Sequence, residues 1–289
     1  MMHNRLRPYF MIAPAILFLC VFTIYPMGNL VYLGFTDWNI INPVKKFVGW
    51  ENYRNLISKP DFIQTLLNTA VFTAASVSII LVLALILALF IKRATKINSA
   101  IQFAMFLPHI VSLVCISMIF KWLMDPSVGV FNLILNVLGL PGLLWLNSSD
   151  TAMLSVILVN IWKATGYITL IVLSALKNVP AEIYEAAMLD YSNRWKTFWK
   201  ITLPMISPQL FFLLVWMTLS SFKVFDTISI MTGGGPGNST NVISYYIYQY
   251  AFSYMKIGYA SAAGTVMLMI LMIITAFYFK ALSKKVFYQ

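Results

Sequence analysis

The sequence predicts an all-α membrane protein with six transmembrane helices, and three observations carry that reading. The first is composition: of 289 residues, 60% are apolar and only 10% are charged, with a mean hydropathy of +0.81. A soluble domain carries about a quarter charged residues. The second is run length. Several apolar stretches reach the ~20 residues that a helix needs to cross a ~30 Å hydrocarbon core, so helical spans are favoured over a barrel. The third is the placement of charge. The net charge of +11 is gathered between the apolar runs, as topology determinants are, which discounts a nucleic-acid surface.

Arg5 and Arg7 precede the first apolar run, 9–35. Leu17, Phe18 and Leu19 are too large for a cleavage site, and the run outlasts a signal peptide. It reads as an uncleaved span broken at Pro14 and Pro26. A polar connection follows over 36–65, where Trp38, Trp50 and Tyr53 mark an interface and Pro43, Gly49 and Pro60 break any long helix. The second span is 66–91, closed by Lys92, Arg93 and Lys96. The third, 101–124, holds Pro108 and His109, a polar kink position. Residues 125–150 are rich in glycine and proline, lack lysine and arginine, and include a short amphipathic segment at 130–138. The fourth, fifth and sixth spans are 151–176, 205–231 and 258–279, with an aromatic-rich segment from Tyr245 to Tyr254 before the last.

Between the fourth and fifth spans, 180–204 carries Glu182, Glu185, Asp190, Arg194, Lys196 and Lys200. Pro180 suits a first helical turn, two glutamates meet the positive helix end, and the lysines approach the negative one. Pro204 stops or bends the helix. Ile183, Ala187, Arg194 and Phe198 share a face, with Trp195 and Trp199 beside it, so the expectation is an amphipathic helix or helix pair at the membrane surface. The small pair Ala186-Ala187 lets another backbone come close. A joining loop and a docking helix both fit these residues.

Basic residues set the orientation. Twelve fall on one side: Arg5, Arg7, Lys92, Arg93, Lys96, Lys177, Arg194, Lys196, Lys200, Lys280, Lys284 and Lys285. Five fall on the other: Lys45, Lys46, Arg54, Lys59 and Lys256. The richer face is expected inside the cell, with both termini and 180–204.

Catalytic signatures are missing from the sequence. GGGPGNST, Gly233 to Thr240, lacks the lysine and spacing of a phosphate loop and reads as a tight turn. Cys20 and Cys115 lie in apolar runs with no CxxC, and neither a metal cluster nor a nucleophile–base set is present. The isolated chain is not expected to be an enzyme. The fourth span, however, places Asn160, Trp162, Lys163, Thr165 and Tyr167 well inside the membrane, where polar groups mark a functional site by default. Helix–helix hydrogen bonding is the alternative for Asn160 and Thr165. The fifth span ends with Ser220, Ser221, Lys223 and Asp226; the last two are spaced to pair on one helix face. Trp216, Phe222 and Phe225 add aromatic planes. Rings, amides and hydroxyls together suit a sugar, whose C–H faces stack and whose hydroxyls hydrogen-bond.

Glu185-Ala186-Ala187, Asp190 and Ile201-Thr202-Leu203-Pro204 resemble the EAA motif of ABC-importer permease subunits, with Tyr191 and Ser192 where Gly and Ala are usual. FVGWENY at Phe47 to Tyr53, FLP at Phe106 to Pro108, Asn160 to Lys163, SFKVFD at Ser221 to Asp226, MTGGGP at Met231 to Pro236 and Gly258-Tyr259-Ala260 are similar to the carbohydrate-uptake branch of that family. The resemblance implies a type I ABC importer transmembrane fold with 180–204 as the cytoplasmic coupling loop. It implies ATPase coupling through Glu185, Ala186, Ala187, Asp190, Leu203 and Pro204. It also implies a substrate path along Asn160, Lys163, Ala164, Tyr167, Met217, Ser220, Ser221 and Val224, several of which differ in type from the maltose pattern. The implied partners are a second homologous permease subunit, two ATPase subunits that carry ATP and Mg, and an extracytoplasmic solute-binding protein. No cofactor is implied on this chain. The implied place is a bacterial cell membrane, and the implied cargo a sugar or oligosaccharide. Two alternatives stand beside it: import of glycerol-3-phosphate or another phosphorylated polyol, with Lys163 as anion partner, and secondary transport with no ATPase.

Overall fold

In a bilayer each apolar run must satisfy its own backbone, and helix dominates accordingly. The computed structural model describes residues 7–41, 44–189 and 193–282. Five helical stretches are long and apolar enough to cross a membrane: Tyr9–Gly34, Pro60–Phe90, Ser149–Lys177, Ser207–Met231 and Ile257–Ala281. A bent pair, Lys96–Ile110 with Leu113–Leu123, makes a sixth candidate, folded by 96° at its break.

The chain divides into two compact units. The first comprises Met1–Ile63 and Tyr246–Ile270. Here α1 (Arg7–Leu19) passes through a π segment (Cys20–Ile24) into α2 (Tyr25–Gly34). A minimal hairpin follows, β1 (Thr36–Asp37) against β2 (Lys46–Phe47), with Thr36 opposite Phe47. The described residues of the connection 36–65 therefore include regular elements, with α3 (Glu51–Ser58) packed beneath the hairpin. Asn52 of α3 donates to the carbonyls of Gly34 and Thr36, both at 2.9 Å, which ties the end of α2 and the hairpin to α3. The Phe35 ring meets Trp50 at 5.0 Å and Tyr53 at 5.1 Å, so the FVGWENY motif forms an aromatic collar. α14 (Ile243–Tyr248), a π segment (Gln249–Ser253) and the start of α15 (Ile257–Leu282) close the unit. Gly258 donates its N–H to the Trp38 carbonyl at 2.9 Å, and a Cβ there would collide with the Thr36 carbonyl.

The second unit comprises Gln64–Tyr245 and Leu271–Gln289. Its axis is α4 (Pro60–Phe90) against α8 (Ser149–Lys177). Lipid tails are as apolar as leucine, so close packing of small residues holds such helices together. Val77, Ile80, Ala84 and Ala88 form the contact stripe on α4, facing Ile168, Val172, Leu173 and Leu176 of α8, with Leu213 and Met217 of α12 (Ser207–Phe222). Gly166 sits directly against the Met105 carbonyl of α5 (Lys96–Ile110), an approach that any side chain would block.

Three features differ from the sequence expectations. α4 starts at Pro60 rather than at 66: proline opens this helix, where its absent N–H costs nothing, and Asp61 meets the positive end. The third apolar run is not a kinked rod. α5 ends at Ile110, Val111 and Ser112 are extended, and α6 (Leu113–Leu123) leaves at a steep angle. Finally, Lys223 and Asp226 do not share a helix face, because α12 stops at Phe222 and Asp226 begins α13 (Asp226–Met231).

The remaining short helices match their sequence signals. α7 (Val130–Val137) lies within the amphipathic stretch. The glycine loop after α13 turns tightly, with Gly233, Gly234 and Gly237 at φ of 59°, 82° and 54°. Asn68 of α4 holds it by donating to the carbonyls of Asn238 and Asn241 at 2.7 and 3.0 Å. Between α8 and α12 lie α9 (Ala181–Leu189), α10 (Arg194–Thr197), a π segment (Phe198–Thr202) and α11 (Leu203–Met205). This is the helix pair expected over 180–204.

Candidate functional site

Asn160, Lys163, Ala164 and Tyr167 follow one another at steps of three, one and three, which puts them on one face of α8. Met217, Ser220, Ser221 and Val224 repeat those steps along α12 and just past its end. The two faces meet. All eight residues line a single cavity of about 240 Å³. Sequence reasoning missed the walls that complete it: Phe72 and Ile80 of α4, and His109 and Leu113 from the break in the third apolar run. Pro108-His109 was the only local signal for that wall.

Lys163 explains the break. Its ammonium lies 2.7 Å from the Val111 carbonyl, 3.2 Å from that of Pro108 and 3.3 Å from that of His109. The last carbonyls of a helix have no partner within it, and a cation there also meets the negative end of the helix dipole. Three protons therefore serve three carbonyls, and this side chain caps α5.

The other groups are arranged differently. Among the described residues, the Asn160 amide and the hydroxyls of Tyr167 and Ser220 have no hydrogen-bond partner. A polar group left without a partner at this depth is costly, so these three are available to a ligand or water. The Tyr167 ring stacks on His109 at 4.0 Å and 9°, and meets Trp216 nearly edge-on at 6.2 Å. Trp216 is 41% exposed. Lys223 and Asp226 stand at one rim of the cavity with opposite charges. Two residues of the fourth span turn elsewhere: Thr165 is buried and donates to the Ile161 carbonyl of its own helix, and Trp162 packs on Phe120 at 5.1 Å.

At the other end of α8, Glu185 and Ala186 are exposed on α9, but Ala187 is buried within the chain. The small side chain at 187 thus serves internal packing, and Ala186 is the one open to a neighbour. Tyr184 reaches Thr202, oxygen to oxygen at 3.3 Å, and ties α9 to the segment that leads into Leu203 and Pro204 of α11. Asp190 lies outside the described residues.

The family model described as binding-protein-dependent transport system inner membrane component matches residues 57–288. The sulfoquinovosyl glycerol transport system permease protein of Agrobacterium fabrum is 33% identical over 283 residues, covering 98% of this chain and 92% of its own. The sn-glycerol-3-phosphate transport system permease protein of Pectobacterium atrosepticum is 32% identical over 286 residues, 98% of this chain and 96% of its own. Among solved structures, a chain of a bacterial alginate ABC transporter, crystallised with an alginate pentasaccharide-bound periplasmic protein, superposes with a TM-score of 0.80 at 27% identity. That match covers 93% of this chain and 91% of the other. With five or six apolar spans, an EAA-like loop and these likenesses over nearly its full length, the chain belongs to the family of binding-protein-dependent transport system inner membrane components, the permease subunits of type I ABC importers.

Proposed function

We propose that this chain forms half of the translocation pathway for a sugar or oligosaccharide, and that the cavity between α8 and α12 contacts the sugar. The carrying observation is the set of amide and hydroxyl groups without partners among the described residues, beside the part-exposed Trp216, with Lys163 already committed to α5. A volume of about 240 Å³ falls below the roughly 300–1,000 Å³ of most small-molecule sites, which supports a second permease subunit as the other half. The first span is exposed over most of its apolar length, with Leu33 and Gly34 at its end buried, as a helix that packs on another chain would be. ATP and Mg belong, in this reading, to two ATPase subunits that seat the 180–204 loop. An extracytoplasmic binding protein delivers the sugar, and both termini lie inside the cell by the distribution of lysine and arginine.

A phosphorylated polyol is the second reading, favoured by one observation: Lys223 is exposed at the cavity rim, so a cation other than Lys163 is on offer. Uptake into proteoliposomes holding the assembled transporter separates the two. For a neutral sugar, Lys223→Gln leaves uptake within about twofold, whereas Asn160→Leu lowers it about tenfold, the loss of one or two hydrogen bonds at ~1 kcal/mol each. Transport that survives Asn160→Leu but collapses with Lys223→Gln assigns the anion instead.

A further inference from the structure

A second, larger concavity lies away from the substrate cavity, between the end of α4 and the segment 184–203. It encloses about 970 Å³. One wall is Val82, Leu85, Ile86 and Leu89, a single apolar face of α4, and where the span ends the lining turns to Lys92 and Arg93. Arg194 supplies a third cation from the opposite side, together with Trp195, Phe198 and Trp199. Among the described residues, no aspartate or glutamate lines the concavity. Trp195 is 69% exposed and Trp199 50%, although both are large aromatic side chains.

We propose that this cleft holds one anionic phospholipid, its phosphate between Lys92, Arg93 and Arg194 and one acyl chain along α4. Charge complementarity selects the headgroup: three cations line the cleft where the apolar span ends, with no carboxylate among its described lining residues. The wall selects a lipid over free phosphate. From Val82 to Lys92 a helix rises roughly 15 Å, half of a ~30 Å core and so the depth of one leaflet. The tryptophans sit at that boundary, where indole rings accumulate. Glu185, an exposed carboxylate of α9, is not among the cleft's lining residues, so the lipid and a subunit docked at Glu185 do not compete for one surface. A phosphate shared by Arg93 and Arg194 fastens the loop to the end of α4. On the coupling reading above, this makes the loop's stiffness depend on lipid charge.

The test uses the assembled transporter in nanodiscs containing both phosphatidylglycerol and phosphatidylcholine, followed by native mass spectrometry of retained lipid. Wild type should keep phosphatidylglycerol about tenfold over phosphatidylcholine, and Arg93→Gln/Arg194→Gln should abolish that preference. Lys280→Gln, a basic residue at the end of α15, should leave it intact, which excludes a diffuse charge effect. Ile86→Trp, which fills the groove and spares the cations, should expel the lipid as well; inorganic phosphate in excess should not. Retention unchanged in the double variant, or full displacement by inorganic phosphate, overturns the proposal. So does a cysteine at position 86 that cross-links to a partner subunit instead of a reactive acyl chain. Binding without any change in ATPase activity would uphold the site and count against the coupling reading alone.

Discussion

Lys163 shows how a single polar side chain can be read in two ways until its neighbours are known. Taken alone on the fourth span, it is an intramembrane cation and invites an anionic ligand. In the folded chain it caps three carbonyls at the end of α5. Removing it deprives three part-buried or exposed carbonyls of their donor, a loss of about 1 kcal/mol. Lys163→Met should therefore lower the Tm of the detergent-solubilised protein and depress uptake of neutral and anionic solutes alike. A loss confined to anionic solutes, with Tm unchanged, would return Lys163 to the ligand. Its position inside a span was legible in the sequence. Its partners were not, because they lie some 50 residues away in sequence and become orphans only when the third run breaks. Tyr167, Asn160 and the two serines were legible through the family resemblance, and helical spacing agrees with it by putting each set on one face.

At the level of elements, periodicity and end signals did most of the work. The long spans follow from apolar run length, and the glycine turn from residues that tolerate positive φ. The steep break between α5 and α6 was not readable. Pro108 disrupts a hydrogen bond, yet the chain stays helical to Ile110 and the turn falls at Val111 and Ser112. Tertiary contacts from α8 decide where the helix gives way. The 180–204 loop gives a similar lesson at Ala186 and Ala187, which look equivalent in sequence, yet Ala186 is exposed and Ala187 is buried. Ala187→Leu should overpack the interior and destabilise the chain by about 1–3 kcal/mol, seen as a lower Tm. Ala186→Leu should leave Tm within a degree or two and reduce only sugar-stimulated ATP hydrolysis. The reverse pattern would mean that residue 187, not 186, meets the partner.

For the molecule as a whole, composition and the lysine–arginine asymmetry indicated a six-span membrane protein before any element was placed. What one chain cannot encode legibly is its assembly: on the proposed function, the largely exposed first span, the cavity of about 240 Å³ and the loop with Glu185 exposed are the surfaces that other chains would meet. The central claim is that this subunit receives a push at α9 and passes it through α8 to the cavity. Glu185→Cys, with Cys20 and Cys115 replaced by serine, tests it in intact cells carrying the assembled transporter. A short membrane-permeant thiol cross-linker should join residue 185 to the ATP-hydrolysing subunit, while a membrane-impermeant maleimide added outside should leave it unlabelled. Labelling from outside, or no cross-link to any nucleotide-hydrolysing chain, would refute the claim.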